Sequence, residues 1–214
     1  MTYLISILIP TLIERREVFN QLIDKLYKQI EEGNYQKKIE ILSICDDRSV
    51  ALCLKRNTLQ KLSRGKYFLH LDDDDELDDS FCKSVIEHIE LDLPVYQPKR
   101  EPDIIGFNQL AKVSGDRFVV IPHIQGDENM IPAPDKEGYR AYYRYPWQYC
   151  LWHEKYKKVY RTESDSPDPI NKPHMNDDRN WLRKLKLEHP KNMSYIDKIL
   201  HIYNWDDPSK TTTQ

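Results

Sequence analysis

Four consecutive aspartates, Asp72 to Asp75, follow directly on the apolar run Tyr67-Phe68-Leu69-His70-Leu71. A short apolar run of this kind reads as a buried strand. A strand that ends in carboxylates places several acceptor oxygens at one edge of a sheet. Such a group repels itself unless a cation shares it, and hard oxygen ligands suit Mg²⁺, Mn²⁺ or Ca²⁺. A solvated loop can be equally acidic. The position argues for a site, because open α/β sheets take their ligands at the carboxyl ends of their strands.

The flanking segments supply that sheet. Ile5-Ser6-Ile7-Leu8-Ile9, ended by Pro10 and followed by the hydroxyl of Thr11, reads as a buried parallel strand. From Glu14 to Glu32 the residues Val18, Leu22, Leu26 and Ile30 recur at steps of four, which predicts an amphipathic helix stopped at Gly33-Asn34. Ile39 to Ile44 is a second strand, running into Asp46-Asp47. A helix is expected over Val50 to Ser63 with Gly65 as its C-terminal stop, and another over Phe81 to Glu90. Strand and helix in alternation predict a parallel sheet with right-handed crossovers. Neither Gly-x-Gly-x-x-Gly nor Gly-x-x-x-x-Gly-Lys-Ser/Thr is present, which argues against a dinucleotide site and a Walker-type NTPase.

The second half reads differently. Asp103 to Asn108 and Arg117 to Ile121 are expected strands, joined as a hairpin near Ser114-Gly115. Gln125 to Gly138 is rich in Pro, Gly and acids and is expected to be an exposed loop. Tyr139 to Tyr160 is crowded with aromatic residues. Thr162 to Met175, with three prolines, reads as a second loop. Asp177 to Leu187 reads as a helix, Ile196 to Tyr203 as a terminal strand, and the tail after Pro208 as frayed.

At 214 residues, with no internal repeat or linker, the chain is expected to form one domain. No apolar run approaches the roughly 20 residues that span a bilayer, and the N-terminus lacks the features of a signal peptide. A formal net charge of -3 gives no global attraction to nucleic acid or anionic membrane. Cys45, Cys53, Cys82 and Cys150 lack zinc-type pairing and read as reduced, core or near-core thiols. These features together predict a soluble cytoplasmic protein.

Five segments, in order, give the chain a resemblance to the GT-A-fold, family-2-type glycosyltransferases. They are Ile7-Leu8-Ile9-Pro10-Thr11; Ser43-Ile44-Cys45-Asp46-Asp47-Arg48-Ser49; Lys55-Arg56-Asn57 with Ser63-Arg64-Gly65-Lys66-Tyr67; Leu71-Asp72-Asp73-Asp74-Asp75; and Asn176-Asp177-Asp178-Arg179-Asn180-Trp181. The resemblance covers residues 5 to 85 well, 176 to 205 moderately and the middle poorly. It implies a single GT-A-type α/β domain over 1–214: a Rossmann-like, mostly parallel sheet flanked by helices. Residues 1–90 would bind the nucleotide-sugar, 91–205 the acceptor, and 206–214 would be a tail.

The resemblance also implies roles. The donor would be a UDP-sugar, lined by Pro10, Thr11, Glu14, Asp46, Asp47, Arg56, Asp72 and Asp73. Asp72 and Asp74 would hold Mn²⁺ or Mg²⁺, with His201 completing the shell. The unbroken run leaves the register of its acids open by one. Asp75 is equally readable as a cap of the following turn, Glu14 as a helix-start acid, and His201 as a polar residue on a strand face. The family pattern has Glu-Asp where this chain has Asp177-Asp178. Asp178 matches the catalytic base and Asp177 is its shortened neighbour; both are also acids that a helix N-terminus favours. Transfer with inversion is expected, because a base must take the acceptor proton during in-line attack.

For the acceptor, Tyr143, Arg144, Trp147 and Trp181 are the candidate contacts. Aromatics interleaved with Arg140, Arg144, Lys155, Lys157, Lys158 and Arg161 suit a sugar or a hydroxylated DNA base; an aromatic core with a basic rim has the same composition. A nucleotidyltransferase and a non-catalytic cation-binding domain are the alternative functions. The first lacks its Gly-rich phosphate loop and the second its spaced Asp-x-Asp-x-Asp-Gly loop.

Overall fold

The computed structural model describes residues 3–92, 101–123, 130–146, 149–161 and 177–204. Ten strands form one sheet. β1 (Ile5–Leu12) lies between β2 (Ile39–Asp46) and β3 (Tyr67–His70), parallel to both. These three strands form the predicted parallel unit. β9 (Leu151–His153) then pairs antiparallel with β3 on one side and with β5 (Ile104–Val113) on the other. Beyond β5 come β6 (Asp116–Pro122), β8 (Tyr139–Arg144) and β7 (Ile131–Lys136) at the edge. β10 (Met193–Asn204) runs parallel to β5 and antiparallel to the two-residue β4 (Glu76–Leu77).

Side-chain alternation sorts the strands into two layers. Ile5, Ile7, Ile9, Tyr67 and Leu69 face one layer, with α1 (Arg16–Glu32) and α3 (Phe81–Glu87) against them. α1 buries Leu22, Leu26 and Ile30 at the predicted steps of four. Leu8 and Phe68 face the other layer, where α2 (Leu52–Leu62) contributes Leu59 and α4 (Asp177–Leu187) contributes Trp181, Leu182 and Leu185.

Three expectations change. The stretch from Gln125 to Gly138 is not all loop: β7 occupies residues 131–136 and returns through Glu137-Gly138, at φ 52° and 82°. Ser114-Gly115, at the same two φ values, closes the β5–β6 hairpin where it was expected; paired positive φ is the signature of tight two-residue hairpins. Pro132 and Pro134 cannot donate to a ladder, so β7 is confined to an edge. Gly65 does not cap α2, which ends at Leu62. A Cβ at Gly65 would come within 2.5 Å of the Ser6 nitrogen, so the glycine is there for close approach to β1. Cys45 is exposed, while Cys53, Cys82 and Cys150 are buried, and none of the four is in a disulfide.

A polar node lies under this approach. Ser6 Oγ donates to Glu40 at 2.7 Å and accepts from the Gly65 N–H at 2.7 Å, while the Arg64 N–H donates to the same carboxylate. Burial opposes ionisation of Glu40, but the bonds from Ser6 and Arg64 outweigh it and hold its pKa low. Glu40→Ala strands these donors and is expected to cost about 2–3 kcal/mol in urea unfolding near neutral pH. A carboxylate held low stabilises above its unfolded pKa and loses that effect as pH falls through its folded value. Wild type and variant should therefore converge in stability on acidification below about pH 4.

Candidate functional site

The carboxyl ends of β1, β2 and β3 meet at one edge. Register places Thr11 beside Cys45 and Leu12 beside Asp46, and the Leu71 N–H donates to the Leu8 carbonyl at 3.0 Å, which carries the acidic run in next to Thr11. Burial then alternates along the run: Asp73 and Asp75 are buried, whereas Asp72 and Asp74 are partly exposed. Asp72 and Asp74 are thus the acids of the run that keep exposed surface.

Each acid has a partner from a different element. Arg56, on α2, donates through Nη2 to Asp72 Oδ1 at 2.7 Å. Burial works against Asp72, and the Arg56 guanidinium overrides it and holds the carboxyl below its ordinary value. Thr11 Oγ1 donates to Asp73 Oδ2 at 2.6 Å. Arg15, in the turn after β1, spans two acids, with Nη1 3.0 Å from Asp73 Oδ1 and Nη2 2.9 Å from Asp74 Oδ2. Burial still pushes Asp73 up to about 6, and it raises Asp74 as well.

Asp75 faces His201, brought over by the β4–β10 pairing; Asp75 Oδ2 and His201 Nε2 are 3.2 Å apart, without hydrogen-bond alignment. Burial pushes the Asp75 carboxyl well up and the His201 imidazole down to about 3, so this imidazole is neutral near pH 7. Gln109 holds His201 Nδ1 at 3.0 Å, and Tyr149 stacks on the ring at 4.2 Å.

Asp46 accepts from Lys55 Nζ at 2.5 Å and from the Val50 N–H at 2.7 Å, and the Lys55 bond holds its pKa low. Lys55 also donates to the Thr11 carbonyl, at 3.1 Å, tying α2 to β1. Asp47 is exposed and accepts from the Ser49 N–H at 3.3 Å. Glu14 is an exposed partner of Arg48, whose Nε lies 3.0 Å away. Pro10 and Thr11 end β1 within the site, whereas Glu14 sits on its rim. Asp177 and Asp178 open α4.

The acceptor candidates divide. Trp181 is 1% exposed, packs in the core and donates from Nε1 to the Val159 carbonyl, so it cannot touch an acceptor directly. Tyr143 packs beside His123, on the sheet face that carries Ile121 and Ala141. The opposite face carries Tyr142, edge-on to Phe118, and by alternation Arg144. Pairing across β10, β5, β6 and β8 sets His201, Gln109, Val120 and Tyr142 in one row on that face. Trp147 lies outside the described residues, as do the loop expected at 162–175 and the tail after Pro208.

Sequence reasoning passed over Arg15, Lys55 and Gln109. Lys55 was the detectable one: a lysine on the buried side of a helix, here 4% exposed, needs a paired acid.

Among the described residues no three His, Cys, Asp or Glu side chains converge as a ready metal cage. The donor chemistry nonetheless fits a hard divalent cation. Asp72 and Asp74 offer hard carboxylate oxygens, and His201 Nε2 is a buried nitrogen with no hydrogen-bond partner among the described residues. Arg15 stands where Asp74 would meet such an ion.

No protein-family model matches the sequence, and no curated protein matches it. Solved structures do. S. aureus TarS 1–349 superposes with a TM-score of 0.55 at 15% identity, over 94% of this chain and 60% of its own. Its complex with UDP-GlcNAc gives 0.54 at 13% identity over 98% and 61%, and its complex with UDP gives 0.53 at 14% identity over 92% and 59%. The fold is the GT-A glycosyltransferase fold. At such identity the likeness concerns the fold alone, and this chain spans about 60% of these neighbours' length. In a GT-A fold the edge built here from Thr11, Asp46 and the acidic run is the carboxyl edge of the parallel unit. No helix among the described residues is long and apolar enough to cross a membrane.

Arg15 pairs with both Asp73 and Asp74, so a divalent cation at Asp74 would have to displace it. Arg15→Gln is expected to tighten Mn²⁺ binding by about three- to tenfold in titration calorimetry, the worth of one partly buried ion pair.

Proposed function

We propose that the protein transfers a sugar from a UDP-sugar to an acceptor hydroxyl, with inversion at the anomeric carbon. The observation that carries this reading is the convergence of Thr11, Asp46 and Asp72–Asp75 on one edge of three parallel strands. The TarS complexes with UDP-GlcNAc and UDP support a uridine diphosphate donor in the same fold.

In this reading Asp46 or Asp47 accepts from the uracil N–H, and Arg56 orients Asp72 beneath the ribose. Asp72, Asp74 and His201 would hold Mn²⁺ or Mg²⁺, which when bound supplies a Lewis acid for the departing diphosphate. Asp178 takes the proton of the acceptor hydroxyl as its oxygen bonds to the anomeric carbon. The bond from that carbon to the diphosphate breaks on the opposite side, and UDP leaves with the electron pair. Inversion follows from the single displacement.

A sugar or other uncharged polyol is the acceptor this reading favours. The basic residues of the aromatic segment are largely engaged within the chain. Lys155 pairs with Asp103, Lys157 donates to the Ser63 carbonyl, Arg140 pairs with Asp116, and Arg161 is 3% exposed. Arg140 and Lys155 stay exposed but each shares its charge with an acid, which lessens the net positive charge offered to a polyanion.

Titration with UDP tests the donor site. Asp74→Asn is expected to weaken Mn²⁺-dependent UDP binding by at least about tenfold with the fold intact. Asp178→Asn should keep UDP affinity and slow transfer by about 10²–10⁴-fold, the usual worth of a general base. Equal UDP affinity of the Asp74 variant and wild type in Mn²⁺ would remove the metal assignment, and a product with the donor's own anomeric configuration would remove inversion. Binding to DNA, read by fluorescence anisotropy from low to high salt, should be absent or weak. Tight binding that falls steeply with salt would instead point to a nucleic-acid acceptor.

A further inference from the structure

A further buried cation lies behind the acidic run, close enough for its charge to help Arg56 hold the Asp72 carboxyl low. Arg161 is 3% exposed, and a guanidinium at that depth needs specific partners. Its main chain is clamped from α2: the Arg161 N–H donates to Asn57 Oδ1 at 2.8 Å, and its carbonyl accepts from Asn57 Nδ2 at 2.8 Å. Its guanidinium carbon lies 4.0 Å from the ring centroid of Trp181, on α4. Its Nη1 lies 3.1 Å from Nε2 of His70, the last residue of β3. The same His70 Nε2 also lies 3.0 Å from Gln60 Oε1, so in one tautomer it accepts from Arg161 and in the other it donates to Gln60, and the ring stands edge-on to Trp181 at 5.3 Å.

Gln60 extends the clamp. Its Nε2 donates to the carbonyls of Lys157 and Val159, both at 2.9 Å, and the Val159 carbonyl also accepts from Trp181 Nε1 at 2.9 Å. Lys184 donates to the Tyr160 carbonyl at 3.1 Å. The segment from Val159 to Arg161 is thus fastened to α2 by two amide side chains and to α4 by an indole and an amine. The guanidinium touches both α4, at Trp181, and His70, the last residue of β3 before the acidic run.

We infer that Arg161 is a positioning residue that holds α4, and with it Asp178, against the end of β3. The Asp178 part rests on the function proposed above; the clamp itself does not. Asp178 lies three residues before Trp181, less than one helical turn. A helix free to shift by about 1 Å at Trp181 would misplace its own first turn relative to the donor edge, and errors of that size cost about 10²-fold in rate. A flat cation is suited to the place: it stacks on the indole while its edge reaches the imidazole, which an ammonium cannot do at once.

The test uses Arg161→Met, which keeps the stem and loses the plane and charge, and Arg161→Lys, which keeps the charge. Amide hydrogen exchange is read in α4 and, as internal reference, in α1, together with UDP affinity in Mn²⁺ and the kcat and KM of sugar transfer. Expected for Arg161→Met are exchange in α4 faster by about tenfold with α1 unchanged, UDP affinity within about threefold, and a loss of kcat without a matching rise in donor KM. Arg161→Lys should show the same pattern in milder form, and it carries the test if the methionine variant does not fold. Unchanged exchange in α4, equal acceleration in α1 and α4, or full kcat despite a loosened α4 would each overturn the inference. If wild type transfers no sugar from any UDP-sugar, the proposed function falls, and the exchange result alone decides the clamp.

Discussion

Mutual repulsion of the carboxylates that follow β3 is the constraint the rest of the site answers. Packing four acids in succession beside an apolar sheet is unfavourable unless each charge is met or suppressed. Arg56 comes from α2, Thr11 from the end of β1, Arg15 from the turn beyond it, and His201 from the last strand. The apolar layers settle which elements stack. The acids settle how the ends of those elements are set against one another.

The answers are unequal, and the inequality has chemical meaning. Asp72 is met by a guanidinium and stays ionised, while burial lifts Asp73 and Asp75 toward the neutral form. Two acids thus face the interior and two keep exposed surface. Asp74 already has a positive partner in Arg15, so under the proposed function a cation there would replace one positive charge with another.

The parallel unit and α1 were legible because period and punctuation agree there: branched apolar strands, apolar steps of four, and a stop at Gly33-Asn34. Sheet order in the second half was not. β7 is one-third proline and mostly exposed, so nothing in its composition marks a strand; its place comes from pairing with β8. Among the aromatics, composition could not show which face each ring takes. Tyr142 and Tyr143 are neighbours in sequence and lie on opposite sides of the sheet, and Trp181, next to the acidic pair in sequence, is drawn inward by the Val159 carbonyl and Arg161. Asp72 to Asp75 could be recognised as a site at once. Their division into inward and outward pairs needed the alternation that only the folded edge displays.

The three residues of β9 bridge the parallel unit to the rest of the sheet: β3 meets β9, and β9 meets β5. The parallel unit of β1 to β3 is complete in sequence by His70, yet the outer edge of β3 stays unpaired until Leu151–His153 arrives. During synthesis that edge is open for the time it takes to make about 80 further residues, several seconds at usual elongation rates of roughly 5–20 residues per second. An apolar strand with a free edge pairs readily with other chains. The nascent chain thus carries a sticky half-sheet through much of its own production, and a chain that stalls before β9 would be a seed for aggregation.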